Sequence, residues 1–167
     1  MEKLSTISHN ISGKLNNKYV HQYMEKSEDN NKSLVIVIAP DKGLCGGLVT
    51  NLVREIVNFD SQNKDSVYLT VGKKIETMVA SLNKELVASF KFGTTLPSFD
   101  MVFPIVKIID EYFLGKKVGS VKIISTNFLS VFSQKPKINS ILPIEFPKPV
   151  SPQGGETAKL TPFTLFE

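Results

Sequence analysis

The chain has 167 residues, a formal net charge of +4 and 41% hydrophobic residues, a composition typical of one folded domain rather than a disordered segment. One cysteine excludes an intramolecular disulfide, and with only two histidines it leaves too few ligands for a structural zinc or iron–sulfur site. The longest uninterrupted apolar run, 34–39, is far too short to span a membrane, and the N-terminus lacks a signal-peptide pattern. We therefore expect no membrane insertion and a cytosolic compartment.

The positive charge raises the question of nucleic-acid binding. All of the 20 basic residues except Arg54 are lysines, and the lysines are scattered among acidic and apolar neighbours. Lysine lacks the bidentate donor geometry that suits guanine edges, and a binding surface would show a basic block with interleaved aromatic residues. The sequence favours a solvated surface over a basic RNA-binding module.

The N-terminal segment carries a narrow apolar stripe at helical spacing. Its members are Leu4, Ile7, Ile11 and Leu15. An isolated helix of this length is marginal in water, so the pattern predicts either a docked helix or the stump of a longer one. A polar stretch over 25–33 follows, and we interpret 1–32 as a helix stump with its linker.

Two strand-and-helix units follow the linker. The continuous run 34–39 is rich in β-branched residues and predicts a central strand covered on both faces. After a glycine-rich turn, apolar residues at helical spacing over 48–57 predict a helix that ends before Asp60. The same order recurs in a predicted strand over 67–71 and a predicted helix over 75–82.

A third helix is predicted from a buried apolar face over 105–113. Ser98 and Asp100 are expected to cap its start, and Pro104 is tolerable near a first turn. Gly115 is expected to end this helix.

Three further strands complete the predicted sheet. They lie over 85–90, over 120–125, and at an edge over 137–144 whose length Pro136 and Pro143 are expected to limit. The alternation of strands and helices predicts an α/β fold, a Rossmann-like open and mostly parallel sheet of about five strands flanked by helices. We assign this domain to 33–146.

The C-terminal segment 147–167 begins as an extended spacer, since three prolines and two adjacent glycines fall within 147–155. The chain then turns apolar again, without room for an element of its own. We expect both ends to be truncated, and we interpret the final segment as a partner contact. Its candidate residues are Phe163, Leu165, Phe166 and Glu167.

The glycine-rich turn lies where open α/β sheets usually bind ligands. Its residues are Gly43, Leu44, Cys45, Gly46 and Gly47. The glycine spacing matches neither the dinucleotide fingerprint nor the P-loop. We therefore predict no bound nucleotide and no cofactor.

Cys45 offers a different chemistry, because a helix N-terminus lowers the pKa of a thiol and this cysteine lies at one. A thiol nucleophile needs a base, and both histidines, His9 and His21, precede the first strand. The sequence therefore favours a packing role for Cys45. An α/β enzyme that uses this turn remains the alternative function.

The run from Asp41 to Leu48, Asp-Lys-Gly-Leu-Cys-Gly-Gly-Leu, resembles the signature of the gamma subunit of the rotary F-type ATP synthase. Further segments are similar to that family, in its order: Val-Gly-Lys-Lys from Val71, Ser-Thr-Asn-Phe from Ser125, Ser-Gln-Lys-Pro from Ser133 and Ile-Leu-Pro from Ile141. Val49 and Thr164 depart from the family's usual residues.

The resemblance implies a central-stalk subunit of a proton-translocating ATP synthase. Such a rotor part transmits torque between the membrane ring and the catalytic hexamer, is non-catalytic itself, and here lacks most of its coiled-coil helices. The implied partners are the alpha and beta subunits, an epsilon-type subunit and the c-subunit ring, at the cytoplasmic face of an energy-transducing membrane, most simply a bacterial plasma membrane. The glycines of the turn are then expected to permit close packing.

Overall fold

The structure is a computed structural model, and it describes residues 21–25, 30–41, 47–63, 65–91, 93, 98–130 and 133–145. Five strands and three α-helices lie within these ranges. In chain order they are β1 (Ser33–Ile38), α1 (Leu48–Gln62), β2 (Ser66–Val71), α2 (Lys73–Ser81), β3 (Glu85–Phe90), α3 (Phe103–Phe113), β4 (Ser120–Ser130) and β5 (Ser133–Leu142). Two short 3-10 turns, Gln22–Met24 and Phe99–Val102, precede β1 and α3.

The five strands form one sheet in the order β3-β2-β1-β4-β5. The first four strands of that order are parallel, and β5 runs antiparallel to β4 at the edge. The predicted fold class is therefore confirmed: an open, mostly parallel α/β sheet with helices on both faces.

Strand β1 is the centre of the sheet. It pairs with β2 on one side and β4 on the other, and Ser33 is the first residue in register with both neighbours. Its apolar residues alternate between the two faces, and each is at most 2% exposed from Leu34 to Val37. This burial on both faces is why the run is continuous rather than alternating with polar residues.

The helices divide between the two faces of the sheet. Helices α1 and α2 cover one face, to which α1 contributes Leu52, Ile56 and Phe59 and α2 contributes Ile75 and Val79. Helix α3 covers the other face, with Phe113 buried and with Ile105, Ile108, Ile109 and Tyr112 half-buried against the core.

A polar network closes the core beside α1. The Tyr68 hydroxyl donates to Asp60 Oδ1 at 2.5 Å, and Lys84 Nζ lies 2.8 Å from Asp60 Oδ2. Burial, followed by this hydrogen bond, raises the pKa of Tyr68 far above its ordinary value. The phenol therefore remains a hydrogen-bond donor to Asp60 Oδ1, whereas Asp60 Oδ2 is buried without a hydrogen-bond partner and is balanced only by the charge of Lys84.

This network also explains why the predicted end of α1 is wrong. The helix continues past Asp60 to Gln62, and the Asn63 N–H bonds to the Phe59 carbonyl at 3.0 Å. Phe59 is buried in the core, so the last turn is fixed by tertiary contacts that apolar spacing alone does not report.

The predicted start of the third helix also needs correction. The α-helix begins at Phe103 with Val102 at its N-cap, whereas Ser98 and Asp100 belong to the preceding 3-10 turn. Ser98 makes no side-chain capping hydrogen bond there. The placement of Pro104 in the first helical turn is confirmed.

Strands β4 and β5 form a longer hairpin than predicted. Pro136 lies within β5, opposite Thr126, instead of limiting the strand. An edge strand tolerates a proline because one of its two rows of N–H groups pairs with no strand of the sheet.

Gly72 connects β2 to α2 in a conformation that requires glycine. Its φ is +124°, and a Cβ built on it would lie 2.5 Å from the Ala39 carbonyl oxygen. Its N–H bonds to the Phe90 carbonyl at 2.8 Å, which holds the turn close to its neighbours. The ends of the first three strands therefore meet tightly at this residue.

We expect Gly72→Ala to lower the free energy of unfolding by about 2 kcal/mol or more, because it adds both backbone strain and a clash with main chain. Gly93→Ala is the matched control: its φ is +69°, but no described atom lies within 4 Å of the added Cβ. Its loss should be about 1 kcal/mol. Urea denaturation of both variants measures this, and equal losses would contradict the role given to the Ala39 contact.

Candidate functional site

The carboxyl edge of the sheet is organised by the side chain of Asp41. Asp41 Oδ1 accepts the Lys73 N–H at 2.5 Å, and Oδ2 accepts the Gly93 N–H at 3.1 Å. One carboxylate thus joins the segment after β1 to the first residue of α2 and to the loop after β3. Both of its oxygens are used within the protein.

This arrangement determines the electrostatics of the edge. The N-terminus of a helix carries partial positive charge and free N–H groups, which makes it a common site for phosphate. At α2 that position is occupied by the Asp41 carboxylate. A ligand anion there would have to displace Asp41 and would meet its negative charge.

The predicted signature turn is described at one residue only. Gly43, Leu44, Cys45 and Gly46 lie outside the described residues. Gly47 directly precedes α1 with φ −78° and ψ 3°, and among the described atoms an added Cβ would meet Asn51 Nδ2, at 3.7 Å. No described neighbour therefore requires glycine at this position, and the expectation that the glycines of the turn permit close packing stays a prediction. The close approach is at Gly72, within the second family-like segment.

An exposed apolar stripe lies on the outside of α3 and the 3-10 turn before it. We call this surface the outer stripe; it consists of Phe99, Val102, Phe103 and Val106. Phe99 is 77% exposed and Phe103 59%, and their rings pack edge to face with centroids 5.6 Å apart. Helix α3 is therefore apolar on two sides, a property of helices that are covered on two sides.

The sequence contains a signal for the outer stripe, which we did not predict. Residues 99, 102, 103 and 106 follow helical spacing, but the buried face over 105–113 already accounted for the helix. The contacts that the sequence did suggest, Phe163, Leu165, Phe166 and Glu167, lie outside the described residues and stay predictions.

Two absences apply to the described part of the chain. No group of three or more histidine, cysteine, aspartate or glutamate side chains there is arranged to hold a metal ion. None of the helices described is long and apolar enough to cross a membrane.

The fold and this edge define a Rossmann-like α/β domain in which a side chain of the protein occupies a helix N-terminus. A family model described as ATP synthase matches residues 1–165, so the chain belongs to the ATP synthase family. The curated relatives are described as ATP synthase gamma chains. That of Clostridium novyi is 31% identical over 115 residues, and that of Paracidovorax citrulli is 28% identical over 151.

These relatives are longer than the chain. The match covers 68% of this chain and 40% of the Clostridium protein, and 88% and 52% for the Paracidovorax protein. The chain thus spans about half the length of the curated relatives it matches.

Solved structures share the fold. The central stalk and c-ring structure of the Tetrahymena thermophila mitochondrial ATP synthase contains a chain that superimposes with a TM-score of 0.60 at 20% identity, over 85% of this chain and 68% of that one. A rotor structure of the Euglena gracilis enzyme gives 0.56 at 16% identity, over 84% and 53%. None of these similarities supports the alternative of an α/β enzyme that uses Cys45.

Asp41 should be the main stabilising side chain of this edge. We expect Asp41→Ala to lower the free energy of unfolding by about 1–2 kcal/mol, the usual cost of losing a helix cap, since two N–H groups lose their acceptor. Asp41→Asn should cost less, because its one carbonyl oxygen still accepts the Lys73 N–H. Thermal or urea unfolding compares the two variants, and equal stability of Asp41→Ala and the wild type would contradict this assignment.

Proposed function

We propose that the chain is a central-stalk part of a proton-translocating ATP synthase that transmits torque between the membrane ring and the catalytic hexamer. The observation that carries this proposal is the family match over 1–165, together with relatives described as gamma chains. The likeness to a chain of a central-stalk structure adds support at the level of the fold. The subunit is non-catalytic in this proposal and carries no cofactor.

The chemistry of the carboxyl edge supports a non-catalytic role. The N-terminus of α2 is already capped by Asp41, and the turn from 43 to 47 lacks a phosphate-binding glycine spacing. In our proposal this edge is closed by contacts within the protein instead of binding a ligand. The shared carboxylate and the tight turn at Gly72 both serve that purpose.

The core supports a mechanical role. Strand β1 is bonded on both edges and buried on both faces, and the apolar clusters on the two faces meet at this strand. Such close-packed interiors have low compressibility and transmit strain. A force applied at one end of the sheet therefore reaches the other end with little deformation.

Partner surfaces and location follow from the same proposal. We assign the alpha and beta subunits to the segments flanking the sheet, and an epsilon-type subunit and the c-subunit ring to the domain, with the complex at the cytoplasmic face of a bacterial plasma membrane. The domain boundaries 1–32, 33–146 and 147–167 stay predictions, as do the partner contacts at the C-terminal end. Among the described residues of α3 and its preceding turn, the outer stripe comprises the exposed large apolar side chains.

Co-purification from native membranes tests the proposal. A tagged chain, expressed in its own cell in place of the untagged protein and recovered from detergent-solubilised membranes, should bring down the catalytic alpha and beta subunits and the ring-forming subunit. The complex should hydrolyse ATP. Recovery of the folded chain without any of these subunits would contradict the proposed function.

A pair of matched variants tests the outer stripe within the same experiment. Val106 on α3 is 40% exposed and Val57 on α1 is 48% exposed, so both substitutions place a charge at a half-exposed helical position. Val106→Asp should reduce the recovery of at least one partner subunit, because a charge cannot be buried unpaired in an apolar interface. Val57→Asp should leave recovery unchanged. If Val106→Asp recovers every partner subunit in the same amount as Val57→Asp and the wild type, the proposed contact at the outer stripe is contradicted.

A further inference from the structure

Tyr23 joins two described segments on either side of the sheet, 21–25 before β1 and 143–145 after β5. We call them the flanking segments. Tyr23 precedes β1, and its carbonyl accepts the N–H of Ile144, which follows β5, at 2.8 Å. A residue upstream of β1 and a residue shortly after β5 therefore lie side by side. Within the described residues, this backbone bond is the direct connection between the two segments.

The side chain of Tyr23 fixes the same point to helix α3. Its hydroxyl donates to Asp110 Oδ1, 87 residues away in the sequence, and its ring packs against Phe113 with centroids 6.4 Å apart. The ring belongs to the half-buried rim of the apolar cluster on the α3 face. Tyr23 thus belongs to the first flanking segment and contacts both the second flanking segment and helix α3.

His21, in the same flanking segment, orients Tyr23. Its Nδ1 accepts the Tyr23 N–H at 3.2 Å, and the two rings lie 4.9 Å apart. The 3-10 turn Gln22–Met24 begins at this cap. The backbone around Tyr23 is therefore constrained by its own turn as well as by the domain.

We propose that Tyr23 is a positioning residue that anchors both flanking segments to α3. The mechanical part of this inference rests on the proposed function: torque that arrives along the flanking segments is delivered to the domain at Tyr23. The other polar network of comparable chemistry, Tyr68 with Asp60, ties α1 to the sheet and touches neither segment.

Two Tyr→Phe variants separate anchoring from general stability. Tyr23→Phe keeps the ring and removes the hydroxyl bond to Asp110, and Tyr68→Phe makes the same chemical change at the bond to Asp60. Hydrogen exchange on the purified full chain should show the Ile144 amide opening about tenfold faster in Tyr23→Phe, while strand β1 stays protected. Tyr68→Phe should speed exchange in the core without a selective effect on Ile144. An unchanged Ile144 rate in Tyr23→Phe would overturn the anchor.

The whole complex tests the mechanical part. In complexes that contain Tyr23→Phe, the number of protons pumped per ATP hydrolysed should fall, whereas complexes with Tyr68→Phe should keep the wild-type ratio. A purely structural role for Tyr23 would lower the amount of complex and leave the ratio unchanged, and that result would overturn the torque role. If Tyr23→Phe does not fold, Asp110→Ala and Asp110→Asn replace it, with the ratio lowered in the first and preserved in the second, whose amide oxygen still accepts the hydroxyl.

Failure of the anchor and failure of the proposed function give different results. A chain with a protected Ile144 amide that never co-purifies with catalytic subunits refutes the proposed function and the torque role but leaves the anchor supported. A complex that assembles and pumps protons normally with Tyr23→Phe refutes the torque role of Tyr23 and leaves the proposed function intact.

Discussion

The rest of the structure depends on the burial of β1 between two parallel neighbours. Every apolar residue from Leu34 to Val37 is withdrawn from water, which contributes about 2 kcal/mol for each of these side chains. The same strand bonds to β2 and β4 along its length, so its backbone groups are satisfied as well. Because β1 has no free face and no free edge, the helices must cover both sides of the sheet.

Because helices cover both faces of the sheet, the ends of the strands are where side-chain chemistry can differ from one protein of this fold to another. Parallel strands end together at one edge, and in open α/β folds that edge is where ligands bind. Here the edge is drawn together by Asp41 and by the close contact of Gly72 with the Ala39 carbonyl. The same type of fold holds a nucleotide in other proteins. In our proposal, the stiffness and the surfaces of this domain carry its function instead.

The contact between the two flanking segments lies at a different place from this edge. Tyr23 and Ile144 bring the two flanking segments together beside the C-terminal half of α3, whereas Asp41 lies at the carboxyl ends of the strands. The outer stripe begins at the opposite end of the same helix, around Phe99 and Phe103. Helix α3 thus contacts the core on one side, the flanking segments near its end and solvent along the stripe. The load path proposed here runs through this one helix.

The sequence predicted the strands and helices because their periodicity is local, and it predicted the fold class because their alternation allows few topologies. It could not predict contacts between distant residues: Asp41 and Lys73 are 32 residues apart, and Tyr23 and Asp110 are 87 apart. In the sequence, nothing distinguishes the carboxylates of Asp41 and Asp110 from ordinary surface charges. Gly72 was visible within a family-like segment, but only the folded chain shows its positive φ and its close approach to Ala39. The end of α1 was missed for the same reason, since Phe59 and Asp60 are held by the core.

Single-particle imaging of membrane complexes purified through this chain tests the central claim most directly. The account predicts density for the five-stranded sheet between the membrane ring and the catalytic hexamer, at different angles relative to the hexamer in different particle classes. A sheet located outside that region, or held at one fixed angle to the hexamer in every class, would contradict a rotor function.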